Sequence, residues 1–558
     1  MKMKWNALLL WLCIAPLAVA DYAAVSPDGR VAIATVQPRA TEAALEVIAK
    51  GGNAVDAAVA ATLALGVVDG HNSGIGGGLF ALVHWADGRI EAIDGREVAP
   101  AAAHRDMYVR DGELVKELSR VGPLAAGIPG SVAALDYMLE QGAALNRQQI
   151  FAPAITLAEE GFAIDGIYAR RLQRHAEVLA QFEGSRAVLL DPQGKPWSGG
   201  HQLIQTDLAK TYRAIAERGG DYFYKGEFAK KVGDWMAANG GIITAEDFAN
   251  YPLLLRKPIR SQYREYEIVG FGPPSSGGVH VAQILNILSN FDMASAAVQE
   301  RYHLLAEAMK LAFADRAYWL GDPAYTKVPK GLIDPAYAKM LAQKIRPNAV
   351  LQDVDYSTPP EAETDLFDKH TTHIAAADKA GNWVAITTTV NTDFGSKVII
   401  PGTGVAMNNQ MDDFTAQPGV ANLYGLMGQE ANSIAPGKRP LSSMSPTLLM
   451  REGKPVLTLG AAGGPTIITQ VAQALVQVID AGLSLADALE APRVHHQWRP
   501  HKLFVEKTLP AAVRTALEKL GHELDYLGPY GSTQAVGLDE KGAFIAVSEP
   551  RLEERNRL

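Results

Sequence analysis

The stretch that decides the fold is FDKHTTHIAAADKAGNWVAITTTVNTDFG, residues 367 to 395. It reads as one β-hairpin, two apolar and β-branched runs around the turn DKAGN. A three-residue loop, Lys379-Ala380-Gly381, with Gly381 in the left-handed position, is a common hairpin connection. It sets Asp378 against Asn382 and, counting outward, Thr371 directly opposite Thr389. Side chains alternate along a strand, so Thr387, Thr389 and Asn391 share one face, and Val384, Ile386 and Val390 share the other. Cross-strand partners lie on the same face, which adds Thr371 to the first. The valine and isoleucine face is core. The threonine face is a polar stripe, and polarity gathered on a core hairpin has to be satisfied by something.

A threonine hydroxyl is a weak nucleophile unless a base lies beside it. Cutting the chain before Thr371 would supply one, because the freed α-amino group has a pKa near ~7.7–8 and suits neutral pH better than a lysine. The preceding segment QDVDYSTPPEAETDLFDKH, residues 352 to 370, is polar, acidic and proline-bearing. It is the best linker candidate in the chain and gives room for such a cut. The Thr371 hydroxyl is placed to make it by attacking the His370 carbonyl.

The rest of the composition sets bounds. A chain of 558 residues has length for two to four domains. Its net charge of −9, with no basic run of five, argues against nucleic acid as the main partner. The 52 glycines cluster in apolar-flanked turns, which suggests close backbone approach. The opening MKMKWNALLLWLCIAPLAVADYAAV has two lysines, a short apolar run and the small residues Ala18-Val19-Ala20, the pattern of a signal peptide over residues 1–20. Its Cys13 is the single cysteine and has no lipoprotein cleavage box around it. The reading is an exported protein with no membrane anchor, no disulfide and no thiol chemistry, destined for the periplasm or the medium.

Gly51-Gly52 ends one Ala-rich helix and Asn53 caps the next. The glycine-rich turn of residues 74–78 leads into alternating strands, residues 120 to 345 are mostly helical, and strands return after the linker. A further helix runs from about Thr466 to Asp480. Strands at both ends with helices between suggest one intertwined α+β body.

Several motifs, in order, resemble those of the γ-glutamyltransferases (γ-glutamyl transpeptidases): GIGGG at 74–78, DGRE at 94–97, TTH at 371–373, NNQMDDF at 408–414, KRPLSSMSPT at 438–447, AAGGP at 461–465 and HHQW at 495–498. The likeness extends from about Tyr22 to the last residues. It implies an N-terminal nucleophile hydrolase with a four-layer αββα sandwich, made as a precursor that cleaves itself. Residues 21–370 would form a large subunit and 371–558 a small one, paired as a heterodimer. The activity implied is transfer of a γ-glutamyl group from glutathione or another γ-glutamyl compound to water, an amino acid or a short peptide.

Roles follow by the same resemblance. Thr371 is the nucleophile and Thr389 its partner. The amides of Gly463 and Gly464, before a helix opened by Pro465, would face an oxyanion. Relatives often carry serine where Pro465 stands. Arg96 would hold the donor's α-carboxylate with its guanidinium fork, joined by the Ser442 and Ser443 hydroxyls. Asn391, Gln410 and Asp413 would receive the α-ammonium group. VANLYGLMGQEANSIAPGKRP, residues 420–440, resembles the lid loop of bacterial members, with Tyr424 near its tip.

Taken alone, each motif has a plainer reading: a tight strand–helix turn for AAGGP, a surface ion pair for Arg96, an acidic loop for NNQMDDF. GIGGG lacks the third glycine of a dinucleotide fingerprint, and His495 and His496 belong to no metal-binding pattern, so no cofactor and no metal is expected. Two alternatives share the motifs: a cephalosporin (glutaryl) acylase of the same fold, and an uncleaved γ-glutamyl-binding protein. His370 stands where relatives more usually carry a small polar or acidic residue.

Overall fold

The computed structural model describes residues 21–360, 372–417, 422, 426, 428–528 and 531–557. The hairpin lies at its centre. Its strands, here β8 (His373–Asp378) and β9 (Trp383–Thr389), pair antiparallel with His373 opposite Thr387 and Ala377 opposite Trp383, the register expected from the turn. Gly381 is left-handed (φ 104°), and Asp378 and Asn382 face each other through the Asp378 N–H donating to the Asn382 carbonyl (2.9 Å). Thr371 itself lies outside the described residues. The register holds as far as Thr372, whose carbonyl accepts from the Thr388 amide at 2.5 Å.

Around this hairpin, β1 (Ala23–Val25), β2 (Val31–Ala34), β3 (Gly78–His84), β4 (Ile90–Gly95) and β5 (Leu254–Arg256) complete one antiparallel sheet in the order β1-β2-β8-β9-β3-β4-β5. A second sheet runs β6 (Ile259–Tyr263), β7 (Tyr266–Gly270), β10 (Thr447–Arg451), β11 (Lys454–Gly460), β12 (Gln534–Leu538) and β13 (Phe544–Val547). Each sheet therefore takes strands from both sides of the linker, as an intertwined body requires.

Three apolar clusters separate four layers. Between the sheets, Ala34, Leu82 and Ala385 meet Val269, Leu448 and Val536, and Phe80 stacks on Phe271 with ring centroids 4.2 Å apart. On the outer face of the first sheet, Ile374, Val384 and Ile386 pack among helices that include α1 (Pro38–Ala49) and α2 (Ala54–Val68). On the outer face of the second, Leu449, Leu457 and Leu459 pack against α4 (Gly277–Leu288), α5 (Val298–Trp319) and α6 (Thr466–Ile479), with α3 (Gly166–Leu179) belonging to the first helical layer. The result is an αββα sandwich.

Local chemistry accounts for the entry helices. Asn53 accepts from the Val55 and Asp56 amides (2.8 and 3.1 Å), and Asp56 accepts from the Asn53 amide (2.8 Å), a reciprocal cap. Every residue of α2 is buried, and its many alanines let it lie between the sheet and neighbouring helices. One expectation needs correction. β3 does not alternate between buried and exposed positions, and both faces of β9 are likewise buried. The cause is the same: in a four-layer sandwich both faces of the first sheet are covered.

The turn of residues 74–77 brings backbone close to the end of β9. A Cβ on Gly77 would fall inside the contact distance of the Thr389 carbonyl oxygen and near the Val390 side chain. Gly77→Ala should therefore lower stability by about 1–3 kcal/mol through overpacking, read as a drop in the denaturant midpoint. An unchanged midpoint would mean that the end of β9 yields freely.

Candidate active site

The polar face of β9 meets a cavity of about 710 Å³, in the range of small-molecule sites. Thr372, Thr389, Asn391, Gly463 and Gly464 all line it. Thr389 is buried, and its hydroxyl oxygen accepts from the Asn391 amide at 2.7 Å. Thr388 points the other way and donates to the Gly78 carbonyl at 3.2 Å. One step along the ladder, His373 Nδ1 lies 3.0 Å from the Thr387 hydroxyl, and burial pushes this imidazole down to about 3, so it is neutral.

Across the cavity, β11 ends in the turn that carries Gly463 (φ 127°) and Gly464 (φ 60°). Both dihedrals are left-handed, which glycine adopts without strain. Pro465 stands one residue before α6, already in helical dihedrals, rather than as its first residue. Neither glycine amide has a hydrogen-bond partner among the described residues, so two N–H groups at a helix start are available to an anion.

The other expected site residues do not line this cavity. Arg96, Gln410, Asp413, Ser442 and Ser443 form a fully buried cluster beside it. Asn391 connects the two, since its side-chain amide donates to the Asn409 carbonyl at 3.0 Å, next to Gln410. Arg96 is no surface residue. It donates from Nη2 to Asp413 Oδ2 at 2.7 Å and from Nε to the Pro440 carbonyl at 3.3 Å, against the segment that carries the two serines. Gln410 donates to the same Asp413 oxygen at 3.2 Å. Ser442 lies beside Ser275 in a β-bridge, so PPSSGG (273–278) supports the site as well.

Three residues of this cluster escaped the sequence reading, although the motifs DGRE and KRPLSSMSPT contain them. Arg439 donates to Asp94 Oδ1 (2.7 Å) and to the Arg96 carbonyl (3.0 Å), which fixes the turn bearing Arg96. Glu97 is wholly buried, with its carboxylate 3.5 Å from Arg96 Nη1. Arg96 Nη1, Gln410 Oε1, Ser443 Oγ and both Glu97 oxygens make no hydrogen bond among the described residues. Buried polar atoms are seldom left so, and their concentration here makes the cluster a candidate ligand site. Burial pushes Glu97 and Asp413 up to about 7 against the pull of Arg96.

Elsewhere, His303, Glu307 and His522 offer ligand atoms within 4.8 Å of one another. They already satisfy each other and their surroundings: His303 Nδ1 meets His522 Nε2, its Nε2 meets the Arg346 carbonyl, and Glu307 pairs with Lys310 and accepts from Leu351 N. His495 is likewise engaged, with Thr469 and Gln497. Tyr424 and its immediate neighbours lie outside the described residues.

The sandwich and the threonine-lined cavity at the end of its central strands define an N-terminal nucleophile hydrolase. The chain belongs to the γ-glutamyltranspeptidase family, whose profile matches residues 40–557. It is an enzyme of that transferase and hydrolase class. It is 42% identical over 524 residues to the glutathione hydrolase proenzyme of Escherichia coli (strain K12), covering 93% of this chain and 90% of that one. It is 40% identical over 502 residues to the acylase ACY 1 proenzyme of Pseudomonas sp. (strain SE83), covering 88% and 87%. The crystal structure of cephalosporin acylase from Bacillus halodurans superposes with a TM-score of 0.85 at 28% identity, covering 98% of both chains. Acylases are thus related members of the family.

The raised Glu97 carboxyl has a stability consequence. Its folded value near 7 lies above the unfolded value of 4.5. It therefore destabilises the fold, not at all well below pH 4.5 and fully above about pH 7. The stability of Glu97→Gln relative to wild type should rise by on the order of 2 kcal/mol between pH 5 and pH 8. Thermal or denaturant midpoints at both pH values test it, and a constant difference would refute the shift.

Proposed function

We propose that this protein is exported, cleaves itself before Thr371, and then uses Thr371 to transfer γ-glutamyl groups from glutathione and related donors to water, amino acids or short peptides. The observation that carries this reading is the β8–β9 pairing, which brings Thr372 and Thr389 to the wall of a cavity shared with Gly463 and Gly464. In the precursor, the Thr371 hydroxyl adds to the His370 carbonyl, the peptide C–N bond breaks, and an ester forms. Water opens the ester to give the His370 carboxylate and a free Thr371 α-amine. That amine takes the hydroxyl proton in each later turnover.

The hydroxyl oxygen then attacks the γ-carbonyl of the donor. Charge develops on the carbonyl oxygen where the Gly463 and Gly464 amides can receive it. The protonated amine returns its proton to the departing amino group, leaving a γ-glutamyl ester. Water or the amine of an acceptor resolves it. Thr389, already an acceptor from Asn391, donates to the Thr371 hydroxyl oxygen and orients it.

The donor's amino-acid head belongs in the buried cluster. Arg96, Ser442 and Ser443 take its α-carboxylate; Asp413, Gln410 and Asn391 take its α-ammonium. The direct Arg96–Asp413 contact supports this assignment, because a cation and an anion side by side complement a zwitterion lying across them. Residues 1–20, the signal peptide in this reading, and the cut itself at 370/371 lie outside the described residues.

Thr371→Ala should give one uncut, inactive chain on a denaturing gel, whereas Thr371→Ser should still cut. Thr389→Ala should slow both cutting and turnover. Normal cutting in the Thr371→Ala chain would assign the break to another agent.

Specificity is tested by comparing a γ-glutamyl anilide with a glutaryl anilide, which lacks both charges of the head. Wild type should strongly prefer the glutamyl donor. Arg96→Ala should cost about ten- to a hundredfold in kcat/KM, the size of a lost charge-assisted hydrogen bond, and most of the preference. Equal use of the two donors by wild type would favour the acylase activity instead.

A further inference from the structure

Helix α3 presents an unusual face to the catalytic cavity. Ile167, Arg171, Arg174, His175 and Val178 all line it, spaced as one stripe of a helix. A helix face turned toward a protein interior is ordinarily apolar; the middle of this one is cationic. Asp393, four residues beyond Thr389, is the carboxylate that Arg171, Arg174 and His175 share. It accepts from Arg171 Nη1 and lies 3.2 Å from His175 Nε2 and 3.6 Å from Arg174 Nη1. Burial would raise the Asp393 carboxyl, yet His175 and Arg171 hold it well below the usual carboxylate range.

Asp393 is the one carboxylate in contact with this group, although Asp69, Glu117 and Asp165 also line the cavity. Asp165 is occupied capping α3 through the Tyr168 amide (2.8 Å), and Asp69 pairs with His71 (3.1 Å) and Asn72 (2.8 Å). Lys397 adds charge nearby, with its ammonium donating to the Thr392 hydroxyl and to the Asp393 and Gly395 carbonyls, and Glu117 faces it across the cavity. The hydrogen bonds of Arg171 among the described residues all leave from Nη1. Arg174 makes none there, and its side chain is 69% exposed. The remaining donors of the two guanidinium forks are the geometry that suits a carboxylate.

We infer that the Arg171–Arg174–His175 face of α3 is a subsite for the free carboxylate of the acceptor, or of the amino-acid or peptide portion that leaves the donor. This rests on the γ-glutamyl transfer reading. The cluster around Arg96 takes the head of the donor, and α3 lies on the open cavity where the incoming or outgoing amine must pass. The subsite then selects acceptors that end in a carboxylate.

The test uses the processed enzyme, a γ-glutamyl anilide as donor, and glycylglycine or glycylglycinamide as acceptor. The two acceptors carry amines of similar basicity and differ in the terminal charge. Wild type should show a KM for glycylglycine about tenfold below that for the amide, the size of one charge-assisted contact. Arg174→Gln, at an exposed position, and Arg171→Gln should bring that ratio toward one, and Arg174→Lys should restore part of it. Anilide release without acceptor reports the γ-glutamyl reading by itself. A wild type that hydrolyses the donor but takes both acceptors equally overturns the subsite alone, as do variants that keep the wild-type ratio. A wild type that releases no anilide overturns both.

Discussion

The antiparallel ladder between β8 and β9 is the constraint on which the rest of the molecule depends. It occupies the middle of the first sheet, paired to β2 on one side and β3 on the other. Its outer face carries the helical layer and its inner face meets the second sheet. A slip of one residue would turn Ile374, Val384 and Ile386 from the helices toward the second sheet and Thr389 away from the cavity. Register is therefore fixed by core packing, and the chemistry at the strand ends inherits that precision.

The buried cluster uses a different device. Arg96 follows β4 in the first half of the chain, and Asp413 comes 317 positions later. One guanidinium faces two carboxyls, Asp413 and Glu97, inside a shell held by Arg439 and Asp94. Such an arrangement contributes little to stability, since desolvation offsets most of the attraction. Its value is orientation: charges of both signs are fixed at short range where a small zwitterion can meet them.

The parts of this arrangement legible in the sequence are those set by local rules. The DKAGN turn dictated the hairpin pairing, Asn53 announced its helix, and the AAGGP turn led into a helix ending within one residue of the expected place. Alternation failed for β3 because two covered faces leave no polar side to mark a strand. The cationic face of α3 was hidden for a related reason. Arg171, Arg174 and His175 lie in a segment legible only as helical, and the tertiary fold turns them toward Asp393. Glu97 and Arg439 sat inside recognised motifs, yet nothing local says that a charge will be wholly buried.

The distribution of strands between the sheets decides what a break before Thr371 leaves behind. The central pair of the first sheet follows the break, while its neighbours on both sides precede it; the second sheet mixes β6 and β7 with four later strands. The two pieces meet through the interior of the molecule, with no separate docking surface. Dilution, which parts ordinary subunits, has nothing to act on short of global unfolding. Neither piece owns either of these two sheets complete, so neither can rebuild the sandwich alone. Continuity of the chain would be needed once, to assemble the sandwich, and after such a break the sandwich would replace it.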